Sequence, residues 1–309
     1  MDLLTAVEKI RSMEIRGASK IAKFAVETLK EHALRINRDF DEEMKRAAEL
    51  LLSSRPTAVS LYNAINYVMR YKGESVEEKR EDLIRRAEEF LNWINTAQKR
   101  IAEIGEKRIR DGSTLLTHCN SSAAIAVIKK AHEVGKRIKV FATESRPRLQ
   151  GHITARQLKE TGIDVTVIVD SAVRYFMNEI DCVIVGADTI TANGALINKI
   201  GTSQIALCAK EARVPFIVAA ETYKFSPKTL GGELVVIEER SAEEVLPPEM
   251  LKLGIKARNP AFDVTPRSYI DAIITEIGVI SPEMAYLVIK ERLGYERIDD
   301  VEMRISEVD

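Results

Sequence analysis

The sequence predicts an α/β protein, with an N-terminal helical domain followed by a Rossmann-like, doubly wound parallel-sheet domain. Up to Gly112, apolar residues recur at the three- and four-residue spacing of amphipathic helices. Beyond Gly112, short apolar runs rich in Val and Ile indicate strands buried on both faces. Amphipathic stretches separate these runs, which is the βαβ alternation of a parallel sheet. We therefore predict two domains, 1–112 and 113–309.

The first region contains four amphipathic segments, at 18–35, 40–53, 57–72 and 75–110. Ser75 and Glu78 have the spacing of a capping box, so the fourth helix is predicted to begin there. Gly112 stands where a glycine commonly ends a helix, just after the last periodic residues. We therefore predict that this helix runs through Trp93 to about Arg110.

The second region contains five predicted strands, at 114–117, 138–142, 165–169, 182–185 and 216–219. Helices are predicted between most of them, for example at 122–135, 152–161 and 202–213. Ligands of open α/β sheets bind at the carboxyl ends of the strands. Polar and ionisable residues follow the predicted strands, so we expect the functional site at this edge of the sheet.

Composition excludes several classes of protein. The net charge of −1 argues against a general nucleic-acid binder. The apolar runs are too short to span a membrane, and the N-terminal residues do not resemble a secretory signal. The three cysteines form no disulfide framework, which is typical of a reducing compartment. We therefore expect a cytoplasmic protein.

Cys119 is the first candidate for chemistry, because it lies between a predicted strand and a predicted helix. A thiol at a helix N-terminus can have a lowered pKa and act as a base or a nucleophile. The alternative is a buried structural thiol, an interpretation that suits Cys182 and Cys208 well. From the residues alone, both interpretations of Cys119 stay open.

Asp188 is the second candidate, because it follows Gly186 and Ala187 directly at a strand end. An aspartate that is partly desolvated there can hold a proton near neutral pH and serve as a general acid. The two small residues would let a ligand approach. The alternative is an aspartate that caps a helix or stabilises a turn.

Two segments predict anion sites. In the first, a tight turn at Asn193-Gly194 is followed by Asn198 and Lys199 and then by a helix that begins at Gly201-Thr202. The Asn198 amide, the Lys199 ammonium and the free N–H groups of the helix would converge on one anion. Arg16-Gly17-Ala18-Ser19 supplies a guanidinium, a flexible glycine and a capping serine before another helix. The alternative in each case is a solvated loop.

Arginines on two further rigid turns, Arg55-Pro56-Thr57 and Arg146-Pro147-Arg148, add to these candidates. Together they indicate a ligand with more than one phosphate. The sequence has no GxGxxG after a strand, no GxxxxGK[ST] and no GxSxG. The dinucleotide fingerprint, the P-loop and the hydrolase nucleophile elbow are therefore excluded.

Five motifs in order carry a family resemblance: Arg16-Gly17-Ala18, Arg55-Pro56-Thr57, Thr117-His118-Cys119-Asn120, Gly186-Ala187-Asp188 and Asn193-Gly194 with Asn198-Lys199-Ile200-Gly201-Thr202. The chain resembles the superfamily shared by ribose-1,5-bisphosphate isomerase, methylthioribose-1-phosphate isomerase and the regulatory subunits of initiation factor 2B. Ser19 and Ser122 depart from the methylthioribose branch, which has proline and glycine there. The regulatory subunits lack the pair Cys119 and Asp188. The chain thus looks most like the archaeal ribose-1,5-bisphosphate isomerases.

The resemblance implies an activity and its residues. Asp188, protonated, would donate a proton to the ring oxygen of the sugar, and Cys119, as thiolate, would take the proton from C2. The resemblance also implies a set of residues that hold the two phosphates and the hydroxyls: Arg16, Gly17, Ala18, Ser19, Arg55, Asn120, Ser121, Asn198, Lys199 and Lys224. It implies no metal or organic cofactor.

The same resemblance implies a role in nucleotide salvage, activation by AMP, and homo-oligomers that are hexamers built from dimers. Two alternatives stay open. One is an isomerase of methylthioribose 1-phosphate or a related 1-phosphate, which would need an apolar pocket in place of a second phosphate site. The other is a non-catalytic regulatory partner of a translation factor.

Overall fold

The computed structural model describes residues 2–15, 17–231 and 235–294. Their contacts divide into two units. The first contains the described residues of 1–97, 222–233 and 287–309, and the second those of 98–221 and 234–286. The division into domains 1–112 and 113–309 stays a prediction.

Helices begin the chain, as predicted. Their bounds are α1 (Leu3–Arg11), α2 (Ala18–Ala33), α3 (Phe40–Ser54), α4 (Val59–Val68) and α5 (Val76–Gly105). Their apolar faces share one core, in which Ile21, Leu29 and Phe90 are buried almost completely. The capping box is confirmed, because the Glu78 N–H donates to Ser75 Oγ at 3.2 Å and the Ser75 N–H donates to Glu78 Oε2 at 3.3 Å.

The predicted end of the long helix is wrong. Helix α5 ends at Gly105, and a 3-10 turn (Glu106–Arg108) follows it. A Cβ at Gly105 would lie 2.6 Å from a methyl group of Val127, so the second unit's packing requires glycine there. The Glu106 carbonyl accepts from the Ile109 N–H at 3.1 Å and from the Lys136 ammonium at 2.5 Å, so the end of the helix is satisfied by the 3-10 turn and one side chain. Gly112, with φ +83°, lies in the turn before the first strand instead.

Among the described residues, every strand belongs to the second unit. The strands are β1 (Thr114–Thr117), β2 (Lys139–Thr143), β3 (Asp164–Ile168), β4 (Cys182–Val185), β5 (Thr189–Ile190), β6 (Leu196–Lys199), β7 (Phe216–Ala219), β8 (Phe262–Thr265), β9 (Ala272–Thr275) and β10 (Gly278–Ile280). The remaining helices are α6 (Ser122–Glu133), α7 (Gln150–Lys159), α8 (Val173–Phe176), α9 (Thr202–Ala212), α10 (Pro248–Lys252) and α11 (Ala285–Leu293).

Seven strands form one sheet in the order β10-β9-β7-β4-β1-β2-β3. All neighbours are parallel except β9 and β10. The predicted α/β fold with a doubly wound parallel sheet is therefore confirmed. The carboxyl end of β1 lies between those of β2 and β4, so the turn after β1 is at the centre of the sheet edge.

A smaller antiparallel sheet, β5-β6-β8, holds the segment predicted to be a loop before α9. Strand β6 pairs with β8 so that Asn198 lies opposite Asp263 and Lys199 opposite Phe262. The predicted solvated or anion-binding loop is thus a buried central strand. Within the described part of the chain, no helix combines the length and apolar character that crossing a bilayer requires.

Candidate active site

Cys119 follows β1 in the left-handed backbone conformation, with φ +65°. Its N–H donates to Ser145 Oγ at 2.8 Å. Its carbonyl accepts from Thr154 Oγ1 at 2.6 Å. Two side chains from outside the β1–α6 turn therefore hold both backbone polar groups of Cys119.

The thiol of Cys119 does not have the lowered pKa expected from a helix N-terminus. Burial raises its pKa to about 11, and the Asp188 carboxylate acts in the same direction. The Lys199 ammonium lowers the thiol pKa, but by less than burial raises it. The thiol is therefore protonated near neutral pH unless its surroundings change.

Ser121, a predicted binding residue, is the N-cap of α6. Its Oγ accepts from the Ala124 N–H at 3.3 Å. A Cβ at Gly186 would lie 2.0 Å from this same Oγ. Gly186 is therefore required by the close approach of Ser121. The sequence had suggested that Gly186 makes room for a ligand.

Asn120 is exposed, and its amide Nδ2 donates to Thr154 Oγ1 at 2.9 Å and to Gln157 Oε1 at 3.2 Å. Thr154 in turn holds the Cys119 carbonyl. Asn120 is thus tied to the same hydroxyl that positions the candidate base.

Asp188 lies at the start of the β5–β6 hairpin and is half-buried. Its N–H donates to the Ile197 carbonyl at 3.0 Å. Its carboxylate is near enough to influence the pKa of both Cys119 and Lys199. The carboxyl end of β4 and the hairpin that follows therefore bring the predicted acid beside the predicted base.

Lys199 is only 5% exposed, although it carries a charge. Its Nζ donates to the Ala261 carbonyl at 3.0 Å and lies 5.0 Å from the centre of the Phe262 ring. Burial lowers the pKa of this ammonium, while Cys119 and Asp188 raise it. A buried ammonium whose pKa responds to a thiol and a carboxylate is a group that can move protons or hold an anion.

Asn198 is also buried, and its Nδ2 donates to Thr202 Oγ1 at 3.1 Å. The Thr202 hydroxyl donates to the Lys199 carbonyl at 2.6 Å. These bonds link the end of β6 to the first residue of α9. The predicted residue pair therefore lies on one rigid strand-to-helix turn.

The prediction that this turn offers free helix amides to an anion is wrong. The Gly201 N–H donates to Asp263 Oδ2 at 2.8 Å, and the Ser203 N–H donates to both Asp263 oxygens at 3.1 Å. A carboxylate of the protein thus occupies the N-terminus of α9. Burial raises the pKa of Asp263 to about 6, although these two amides lower it.

Arg240 is a charged neighbour that the sequence did not suggest. Its side chain is 9% exposed, and its Nε donates to Glu238 Oε1 at 3.1 Å. Its charge lowers the pKa of both Cys119 and Lys199. No strand-end pattern precedes it, so the sequence offered no signal beyond its charge.

The other predicted residues belong to the first unit, except Arg16, which lies outside the described residues. Gly17 is the N-cap of α2 with φ +95°, and a Cβ there would meet no atom within 4 Å. The Ala18 carbonyl accepts from Ser60 Oγ at 2.9 Å. Ser19 Oγ accepts from the Tyr223 hydroxyl at 2.9 Å.

Lys224 and Arg55 complete this group. Lys224 is 4% exposed and ends the 3-10 turn Thr222–Lys224. The Asn63 amide fixes this turn, because its Nδ2 donates to the Tyr223 and Phe225 carbonyls at 2.8 Å each. Arg55 is the half-buried C-cap of α3. Among residues 2–15, 17–231 and 235–294, no cluster of three His, Cys, Asp or Glu side chains could hold a metal ion.

Comparison with known proteins identifies the family. The model of the initiation factor 2 subunit family matches residues 14–282. The chain belongs to this family. It is 74% identical to a ribose 1,5-bisphosphate isomerase of Archaeoglobus fulgidus, over 99% of this chain and 98% of the relative. It is 58% identical to a ribose 1,5-bisphosphate isomerase of Methanocaldococcus jannaschii, over 96% of this chain and 97% of the relative.

Solved structures show the same fold. The crystal structure of the Pyrococcus horikoshii translation initiation factor eIF-2B matches with a TM-score of 0.80 and 36% identity. The match covers 91% of this chain and 97% of that chain. The family resemblance drawn from the five motifs is therefore confirmed.

Proposed function

We propose that this chain is an aldose–ketose isomerase that converts α-ribose 1,5-bisphosphate into ribulose 1,5-bisphosphate. The observation that carries the proposal is the arrangement of Cys119, Asp188 and Lys199, a thiol, a carboxylate and a buried ammonium that influence one another's charge. The high identity to relatives that bear this activity in their names supports it.

The reaction needs one acid and one base, because the phosphate on C1 prevents the sugar ring from opening spontaneously. Asp188, protonated, donates its proton to the ring oxygen while the Cys119 thiolate takes the proton from C2. The bond between C1 and the ring oxygen breaks, and a C1–C2 double bond forms. The thiol then returns its proton to C1, Asp188 takes the proton from the C2 hydroxyl, and the ketone forms.

The charged neighbours of Cys119 act on the thiolate in opposite directions. The Asp188 carboxylate raises the thiol pKa, so protonation of Asp188 removes a charge that opposes the thiolate. The Lys199 ammonium favours the thiolate. Burial still raises the thiol pKa to about 11 in the structure, so the proposed thiolate forms only once substrate has bound and Asp188 is protonated.

The binding residues are proposed as a set that holds the two phosphates and the hydroxyls: Arg16, Gly17, Ala18, Ser19, Arg55, Asn120, Ser121, Asn198, Lys199 and Lys224. We also propose a role in AMP salvage, with AMP as an activator, and assembly into hexamers that are built from dimers. All three cysteines are free thiols in the structure. Free thiols fit the proposed cytoplasmic location.

The test is turnover of α-ribose 1,5-bisphosphate, coupled to a ribulose-bisphosphate carboxylase, with and without AMP. Wild-type protein is expected to form product, whereas Cys119→Ser and Asp188→Asn should each lower kcat by about 10³-fold or more, because the base or the acid is lost. Cys208→Ser is the control, since this half-exposed thiol on α9 lies outside the site. Normal turnover in either site variant would contradict the assignment.

Two other functions would be distinguished by a turnover assay on both sugars together with a pull-down. A methylthioribose-1-phosphate isomerase would turn over that sugar and leave the bisphosphate unchanged. A non-catalytic partner of a translation factor would turn over neither sugar and would retain an initiation-factor subunit in a pull-down. The presence of both Cys119 and Asp188 disfavours the non-catalytic alternative.

A further inference from the structure

The Cys119 peptide is held in a conformation that its own side chain disfavours. With φ +65°, Cys119 is in the left-handed region, where a Cβ crowds the following carbonyl. Such conformations persist where surrounding contacts impose them, and they concentrate at functional sites. The contacts here are the two hydroxyl groups of Ser145 and Thr154, on the amide and the carbonyl respectively.

Ser145 is itself fixed by a carboxylate. It also has a positive φ, of +60°. Its N–H donates to Asp170 Oδ1 at 2.8 Å, and the next N–H, of Arg146, donates to Asp170 Oδ2 at 2.7 Å. Asp170 follows β3, so one carboxylate from the neighbouring strand end orients the residue that receives the Cys119 amide.

Thr154 is completely buried, on the second turn of α7. Its hydroxyl can donate only one hydrogen, and the short contact of 2.6 Å directs it to the Cys119 carbonyl. It accepts from the Asn120 amide at 2.9 Å. Thr154 thus holds the carbonyl of Cys119 and the side chain of the following residue with the same atom.

His118, the residue before Cys119, is fixed as well. Its Nε2 lies 2.9 Å from the Ile200 carbonyl, which can only accept, so this nitrogen carries the hydrogen. Its Nδ1 then accepts from the Thr143 hydroxyl at 2.5 Å. The bond to Ile200 joins the β1–α6 turn to the turn that carries Lys199. The side chains of the residues before and after Cys119, His118 and Asn120, are therefore both held by hydrogen bonds.

We propose that Ser145 and Thr154 are positioning residues that hold Cys119 in the left-handed conformation, and thereby keep its thiol beside Asp188 and Lys199, with Asp170 acting through Ser145. The inference rests on the proposed function, in which Cys119 is the base. The alternative is that these bonds stabilise the sheet edge alone and leave the chemistry unaffected.

The decisive variants are Thr154→Val, which removes the hydroxyl at constant shape, and Thr154→Ser, which retains it. In Thr154→Val and in Ser145→Ala, kcat is expected to fall by about 10- to 100-fold with KM changed less than about threefold, because a misplaced base affects the chemical step. Thr154→Ser should keep kcat within about threefold of wild type. Asp170→Asn should lower kcat by a smaller factor.

Asp181→Asn is the control for Asp170→Asn. Asp181 also accepts a backbone N–H, that of Thr114 at 2.8 Å, but at the opposite end of β1. Its loss should leave kcat unchanged. If Asp181→Asn lowers kcat as much as Asp170→Asn does, the effect is general stability and the positioning role is wrong.

A second readout does not depend on turnover. In a Cys208→Ser background, alkylation of Cys119 by iodoacetamide at pH 8 should be faster in Thr154→Val and Ser145→Ala than in the parent, by about threefold or more, because the released thiol reaches solvent and regains an ordinary pKa. Unchanged kcat and unchanged alkylation in both variants would overturn the proposal. If wild type proves inactive on the bisphosphate, the alkylation rates still test the positioning role, so the two failures are distinguishable.

Discussion

Two strand-to-helix turns of the second unit carry most of the candidate site, and they are built differently. In the β1–α6 turn, the helix N-terminus is capped by Ser121, a residue of the turn itself. In the β6–α9 turn, the amides of Gly201 and Ser203 are capped by Asp263, about sixty residues later in the chain. The residue that caps the first helix is close in sequence, whereas the residue that caps the second reaches it only in the folded protein.

The two turns also differ in charge. Burial raises the pKa of the thiol in the first turn, so this thiol is neutral, whereas the second turn carries a buried ammonium. The bond from His118 to the Ile200 carbonyl joins them. The second turn therefore carries a charge that lowers the pKa of the thiol in the first turn.

Among changes to the coupling between the two turns, the largest effect is expected from Lys199→Met, which removes this charge while keeping an unbranched side chain of similar length. We expect the alkylation of Cys119 to require higher pH and kcat to fall by about 10²-fold or more, because the thiolate loses its nearest stabilising cation. Measurement of both quantities against pH checks this expectation.

Two matched variants sharpen that test. Lys199→Arg keeps the positive charge, so it should retain more activity than Lys199→Met if charge is what matters. Lys210→Met removes an exposed lysine from α9 and should change neither quantity. An alkylation profile that is identical in wild type and Lys199→Met would show that the two turns are electrostatically independent.

The parallel strands were predictable because each is a short apolar run buried on both faces. The predicted strands at 114–117, 182–185 and 216–219 coincide with β1, β4 and β7, and the other two are displaced by one residue. The five strands from β5, β6, β8, β9 and β10 were missed. These are two to four residues long, and their pairing partners lie far away or across tight turns.

Sequence motifs predicted the candidate residues of the site but not the contacts that distant residues make with them. Cys119, Asp188 and Lys199 stand at strand ends in recognisable motifs, so the sequence marks them as candidates, and their roles stay a prediction. Whether helix amides are free depends on Asp263, which approaches only when β8 pairs with β6. The thiol pKa was expected to be lowered because the sequence shows the helix and not the extent of burial.

A smaller effect, on stability, is expected from Asp263→Asn. Burial raises the pKa of Asp263 to about 6 from an ordinary value of 3.8. Between these values the folded protein binds a proton that the unfolded chain has released, so the free energy of unfolding falls as the pH rises from about 4 to about 6. The difference corresponds to at most about 3 kcal/mol.

Denaturant titrations of both proteins at pH 4, 5, 6 and 7 measure this contribution. The wild-type free energy of unfolding should decline relative to that of Asp263→Asn across the lower part of the range and run parallel to it above pH 6. Lys199 is the charged group nearby that favours the ionised form, so a steeper decline is expected in Lys199→Met. A constant difference between wild type and Asp263→Asn would contradict the raised pKa.

The smallest effect is expected from loss of the Ser121 cap at the N-terminus of α6. Ser121→Ala removes the oxygen that accepts from the Ala124 N–H, and the free energy of unfolding should fall by about 1 kcal/mol. Ser122→Ala is the matched control, because Ser122 is exposed on the first turn of the same helix. Since the capping oxygen is not titratable, the loss in Ser121→Ala should be the same at pH 4 and pH 7, unlike that in Asp263→Asn. A loss that varied with pH would mean that the two turns are coupled in stability as well as in charge.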